Sequence, residues 1–311
     1  MISWRYHLVS IVAVFLALGL GVLAGTTVLD QHLVNNLRDR TDQAETALHQ
    51  QQAADAQLQS RLSTMNAFAD QALPYLVRSR LAGAQVVVVT EDGVDSRALS
   101  EARKALDLSG AEVLTTLTIR PTMAADSPSS QHDLATLLGL AQTTPADQLA
   151  ADAAETLAQR LAKDPRTDLS GRPDPLGALL SQGFLTASAP SLSDATLSEV
   201  GGRGQVIVTV AGGSAGLSPT ATGFMVPFVD HLVTLGVVSG AGESLGAQDT
   251  FVPQIRAALD TSTLPLVTVD DVDLPVGATA LILGLEEALR AGTGGDYGVK
   301  AGASGLLPPA A

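Results

Sequence analysis

The chain has 311 residues and not one cysteine. That absence excludes disulfides, thiolate metal centres and cysteine nucleophiles, and leaves the redox compartment unmarked. Aromatic residues are scarce at 3% against a hydrophobic fraction of 46%, so any core is built from Ala, Val, Leu and Gly. Basic residues are outnumbered, with 18 Lys and Arg against 32 Asp and Glu and a formal net charge of −14. So acidic a chain cannot release counterions from a phosphate backbone and does not lie on an anionic lipid leaflet, which argues against nucleic-acid binding. The length suffices for one sizeable core with extensions.

What the chain does have is one long uncharged run. Leu8 to Leu29 is 22 residues without a charge. As a helix it spans about 33 Å, close to the roughly 30 Å of a hydrocarbon core. Trp4 and Tyr6 precede it, where amphipathic aromatics favour the interface. A cleaved signal peptide is the rival reading, but its apolar stretch is shorter and ends in a small-residue cleavage site. Residues 1–30 are therefore expected to be a membrane anchor, with the N-terminus cytoplasmic and the bulk of the chain extracytoplasmic. Gly21 and Gly25 form a small-xxx-small pair that lets helices approach.

From Val34 to Ala72 there is neither Gly nor Pro. Alternate steps of three and four pick out Val34, Leu37, Thr41, Ala44, Leu48, Gln51, Asp55, Leu58, Leu62, Met65, Ala69 and Ala72, of which nine are apolar. A seam of this kind predicts a coiled-coil stalk over 31–80 and a homo-oligomer, with Val34, Leu37, Ala44, Leu48, Leu58, Leu62 and Met65 as its contacts. The rival is an amphipathic helix folded back on the rest of the chain. Pro74 marks the end of the regular pattern.

Beyond it, Val86–Thr90 reads as a strand buried on both faces. Asp95 caps a helix reaching Ser109, and Ala111–Ile119 is the next strand. Further strands are expected at Gln205–Val210, Val237–Ser239 and Leu264–Val269, with helices at Phe224–Leu235, Asp249–Leu259 and Gly277–Ala291. The alternation predicts an α/β domain over 81–292 with a mostly parallel, Rossmann-like sheet. A helical insert occupies about 131–200: Thr144 is expected as N-cap and Pro145 as first helical residue, with the helix running to Lys163 and stopped by Asp164-Pro165. Residues 293–311 are Gly/Ala/Pro-rich and expected to fray.

In a parallel sheet the loops after the strands gather on one edge. Here they carry Glu91, Asp92 and Asp95, the turn Gly212-Gly213-Ser214-Ala215-Gly216, and Asp270, Asp271 and Asp273. The six carboxylates are candidates for a hard cation and the Gly-rich turn for an anion. Each also has a plainer role, as a helix cap or a solvated turn. The turn is not a dinucleotide fingerprint and no phosphate-gripping lysine follows it. The five histidines, His7, His32, His49, His132 and His231, show no metal-ligand spacing, and no nucleophile–base pair can be assembled. The chain is read as no enzyme, with no resident cofactor.

The opening MISWRYHLVSIVAVFLALGLGVLAGTTVLD, the helical segment after it, the Glu91-Asp92-Gly93 turn and the GGDYG at Gly294–Gly298 resemble the actinobacterial MctB family, a channel-forming cell-envelope group. The resemblance implies copper as a transported ion and a role in copper efflux and homeostasis; corynebacterial relatives are linked to envelope integrity and division. Copper(I) favours thiolate, thioether and imidazole ligands, which are sparse here, and one apolar helix offers no lined pore. The alternative is a scaffold that moves no solute and positions an envelope or division partner through its stalk.

Overall fold

The computed structural model describes residues 4–163, 174–188, 199–213, 220–248 and 251–309, with the side chains of 26–34, 221 and 222 left aside. Two compact units emerge, Met1–Met65 and Asn66–Ala311. The second unit thus begins well before the expected boundary at Leu81. The Asp164-Pro165 stop, the adjoining loop to Pro173 and residues 214–216 of the Gly-rich turn lie outside the described residues.

The first unit is helical. Helix α1 is assigned over Trp4–Val77. Within it Trp4–Gly25 is long and apolar enough to cross a membrane, and none of that window is buried by the protein. The seam residues Leu37, Leu48, Leu58, Leu62 and Met65 are all exposed; the Val34 side chain lies outside those described. Pro74 lies inside the helix rather than at its end. A proline there forfeits one backbone donor. The final turns persist because Leu73 and Val77 are fully buried in the core of the second unit.

That unit is a seven-stranded sheet in the order β3-β2-β1-β4-β5-β6-β7. The strands are β1 Gln85–Glu91, β2 Glu112–Ile119, β3 Leu185–Ser188, β4 Val206–Val210, β5 Ser239–Gly242, β6 Leu266–Val269 and β7 Gly295–Tyr297. Every pairing is parallel except β2 with β3. Both faces are covered, which is why the central strands β1, β4 and β6 are dominated by Val, Ile and Leu. Val86 and Val88 enter one core, with Leu73, Val77, helix α2 (Ser96–Leu108) and the last long helix, α8 (Pro275–Ala291). Val87 and Val89 enter the other.

That second core is filled by α3 (Pro128–Leu138), α4 (Ala146–Ala162), α5 (Pro175–Ser181), α6 (Val226–Thr234) and α7 (Phe251–Ala258). Helix α4 takes Pro145 as its N-cap, with no side-chain cap, so the expected Thr144 cap is displaced by one residue. Strand β5 falls two residues later than expected, on Ser-Gly-Ala-Gly. A side chain at Gly240 would meet Leu281 Cδ1 at 2.9 Å and one at Gly242 would meet Val272 Cγ1 at 3.3 Å. Close packing of α8 and its leading turn against the sheet explains why a strand can be made of such small residues. The segment after Gly292, expected to fray, supplies β7 and packs beside β6.

Candidate functional site

Between β1 and β4 the order of strands reverses, and such a switch point is where open α/β sheets usually receive a ligand. Here, among the described residues, the loops after the two strands bond to each other. Glu91, buried at the end of β1, accepts through Oε1 from the Gly212 N–H at 2.9 Å. The Asp95 N–H donates to the Gly212 carbonyl at 3.4 Å. Gly213 lies so close that a side chain there would come within 2.7 Å of the Gly93 carbonyl oxygen. The Gly212 N–H, one of the backbone donors expected to face an anion, is thus held by a protein carboxylate.

The six candidate carboxylates divide into two groups with different duties. Asp95 caps α2 by accepting from the Arg97 N–H at 2.9 Å. Asp92 is exposed. Asp273 accepts from the Leu245 N–H at 2.6 Å, tying the β6 loop to the β5 loop. Asp270 is wholly buried and saturated: Arg256 Nη1 donates to Oδ2 at 2.6 Å, and the Val299 and Lys300 N–H groups donate to Oδ1 at 2.8 and 3.1 Å. Asp271 is as deeply buried, yet its Oδ1 has no hydrogen-bond partner. Burial, with Asp270 and Asp273 adding repulsion, pushes its carboxyl up to about 6.

Around these lie groups that the sequence patterns did not single out. Glu243, fully buried after β5, accepts from Lys300 Nζ at 2.8 Å and from the Val252 N–H at 3.0 Å. Burial raises its pKa, with Lys300 opposing. The Lys300 ammonium also donates to the Ser244 and Ala247 carbonyls at 3.2 and 3.0 Å, so all three of its protons are engaged. Arg256 spreads its fork over Thr268 Oγ1, Asp270 and the Tyr297 carbonyl. Asp296 accepts from Thr268 and Thr261, each at 2.6 Å.

One sequence signal did lie over this network. The GGDYG stretch supplies Asp296, the Tyr297 carbonyl and Gly298. A side chain at Gly298, whose φ is +126°, would collide with the Asp270 carboxylate. Gly294 is pressed in the same way on the Leu266 carbonyl. The motif is therefore the joint that docks the tail onto β6. Glu243, Arg256 and Lys300 carry no local signature, because their pairings are 57 and 14 residues apart in the chain.

Chemically, this edge is a set of buried ion pairs that largely satisfy one another. Among the described residues no group of three or more His, Cys, Asp or Glu is placed to hold a metal ion. The soft donors are also dispersed. Met123 and Met225 pack in the core, Met65 is exposed on α1, and His49 and His132 are exposed on separate helices.

The sequence matches the family described as "Copper transport outer membrane protein, MctB" over residues 1–308. It is similar to the copper transporter MctB of Mycobacterium leprae, 28% identical over 99% of this chain and all of the relative. It is likewise similar to the copper transporter MctB of Mycobacterium tuberculosis, 25% identical over 97% of this chain and 98% of the relative.

Proposed function

Because the chain belongs to the MctB family, one of transport proteins rather than enzymes, we propose that it is a single-pass envelope protein of copper homeostasis that works as an assembly of several copies. The N-terminus is cytoplasmic and the α/β unit extracytoplasmic. The observation that carries this reading is the apolar stripe on α1: Leu48 and Leu58 are 54% and 57% exposed, and Leu37, Leu62 and Met65 are exposed beside them. Fully burying a leucine side chain contributes about 1.5–3 kcal/mol, so a stripe of this length is a strong drive to associate. A lone apolar helix has no polar lining, so any copper route runs through the assembly or a protein it recruits.

The test is cell-associated copper, measured by mass spectrometry under mild copper load in a deletion strain and its complemented control. A rise reversed by the intact chain, and not by a chain carrying Leu48→Asp and Leu58→Asp, is the expected result. Unchanged copper on deletion overturns the transport reading.

A second reading is favoured by the self-satisfied polar edge of the sheet: a scaffold that carries no solute and positions an envelope or division partner. It predicts division or envelope defects at normal copper, with a partner captured through the stalk.

A further inference from the structure

The last turns of α1, from Asn66 onward, carry two unlike edges. Leu73 and Val77 are buried in the core of the second unit. Phe68 and Tyr75 are 74% and 80% exposed, and with Gln71, Ala72 and Leu76 they frame a shallow groove. The Arg78 guanidinium lies over the Tyr75 ring at 6.0 Å, but a helix already seated by Leu73 and Val77 gains little for folding from large aromatics turned to solvent.

We propose that this groove is covered by the same face of a second copy of the chain, in a parallel, in-register pair that extends along α1 as far as Leu76. The inference rests on the self-association reading and adds its direction, its register and its reach into the second unit. The three–four count that passes through Leu58, Leu62 and Met65 continues without a break to Ala69, Ala72 and Leu76. In that count Phe68 and Tyr75 precede the seam positions Ala69 and Leu76, so they flank a seam of small residues that lets two helices approach. Charge favours the parallel direction. The same count puts Arg40 at a flanking position whose partner in a parallel, in-register pair lies five residues on, and that residue is Glu45. The attraction occurs twice by symmetry. Two chains crossing one membrane in the same sense present their helices in the parallel arrangement.

The absence of cysteine makes the test direct, since each variant carries a single thiol. In a parallel, in-register pair a seam position faces its own copy, within the about 4.4–6.8 Å between Cα atoms that a disulfide spans. Full-length chains with Ala44→Cys, Ala72→Cys or Ala67→Cys are oxidised mildly in membranes and run without reductant. Ala67 is exposed but off the seam. Ala44→Cys and Ala72→Cys should give a band of dimer size and Ala67→Cys none. Adding Phe68→Glu and Tyr75→Glu should lower crosslinking at position 72 severalfold while sparing position 44. Crosslinking at 44 without 72 overturns the extension and leaves stalk pairing standing. Failure at both positions overturns the self-association reading as well. Equal crosslinking at 67 and 72 means random collision and overturns the extension.

Discussion

Lys300 reaches back from the C-terminal tail to place its Nζ 2.8 Å from Oε1 of Glu243, a carboxylate with no exposure to solvent. Removing one partner of a buried pair costs about 3–5 kcal/mol, because the other charge stays buried and uncompensated. Lys300 retains 17% side-chain exposure, so Lys300→Met should fall near the lower end. Denaturant midpoints of the full chain in detergent would read this. Adding Glu243→Gln should recover part of the loss, since neither charge then remains. Acidification should also help the single variant, as a protonated Glu243 needs no counter-charge. Two additive losses would refute the pairing.

Asp271 predicts a pH effect of definite sign. Its carboxyl is raised from 3.8 to about 6 in the folded chain, so the folded state binds the extra proton between those values. Stability from this group is complete below about pH 4 and falls as pH rises through 6. The shift corresponds to roughly 2–3 kcal/mol. Asp271→Asn should therefore raise the unfolding midpoint at about pH 7.5 and change it little at about pH 3.5. Equal effects at both values would show that the carboxylate's charge is not the cause.

Gly277 sits in the first turn of α8 directly against Asp271. An alanine gains about 1 kcal/mol of helix propensity over glycine. Here its methyl group would land on the Asp271 carbonyl oxygen and Oδ1, and backbone cannot move aside as a flexible side chain can. Overpacking of this kind costs about 1–3 kcal/mol, so Gly277→Ala should lower the melting temperature despite its better propensity. An unchanged or raised value would contradict the packing described.

Leu48→Asp with Leu58→Asp tests the stripe itself. Four charges would be forced into one paired seam, against a loss of roughly 6 kcal/mol or more in apolar burial over two copies. Light scattering of the full chain in detergent should show the assembly reduced to single copies with the α/β unit still folded. An unchanged mass would remove self-association through this seam.

Much of this architecture was legible from the sequence, and the reasons are local. Val86–Thr90 and Val206–Val210 are valine- and isoleucine-rich with one threonine each because helices cover both faces of the sheet, and the absence of Gly and Pro from Val34 to Ala72 marks a helix. What escaped depends on partners distant in sequence. Leu185–Ser188 is too short to announce an antiparallel edge, and Ser239–Gly242 is a strand only because α8 packs so closely on it. The helix passes Pro74 on the strength of Leu73 and Val77, which meet their core only once the sheet exists. At the candidate site, Asp95 as a cap was readable from its position. Glu243, Arg256 and Lys300 were not, since no spacing rule links them.

The docking of the tail has a genetic consequence. A stop codon just before position 300 would delete less than a twentieth of the chain, in a stretch whose Gly/Ala/Pro composition looks dispensable. It would strip Glu243 of its ammonium partner and Asp270 of a backbone donor in a single step. Such late truncations should behave as null alleles, and a reporter fused to this protein belongs after the last residue, never in place of the tail.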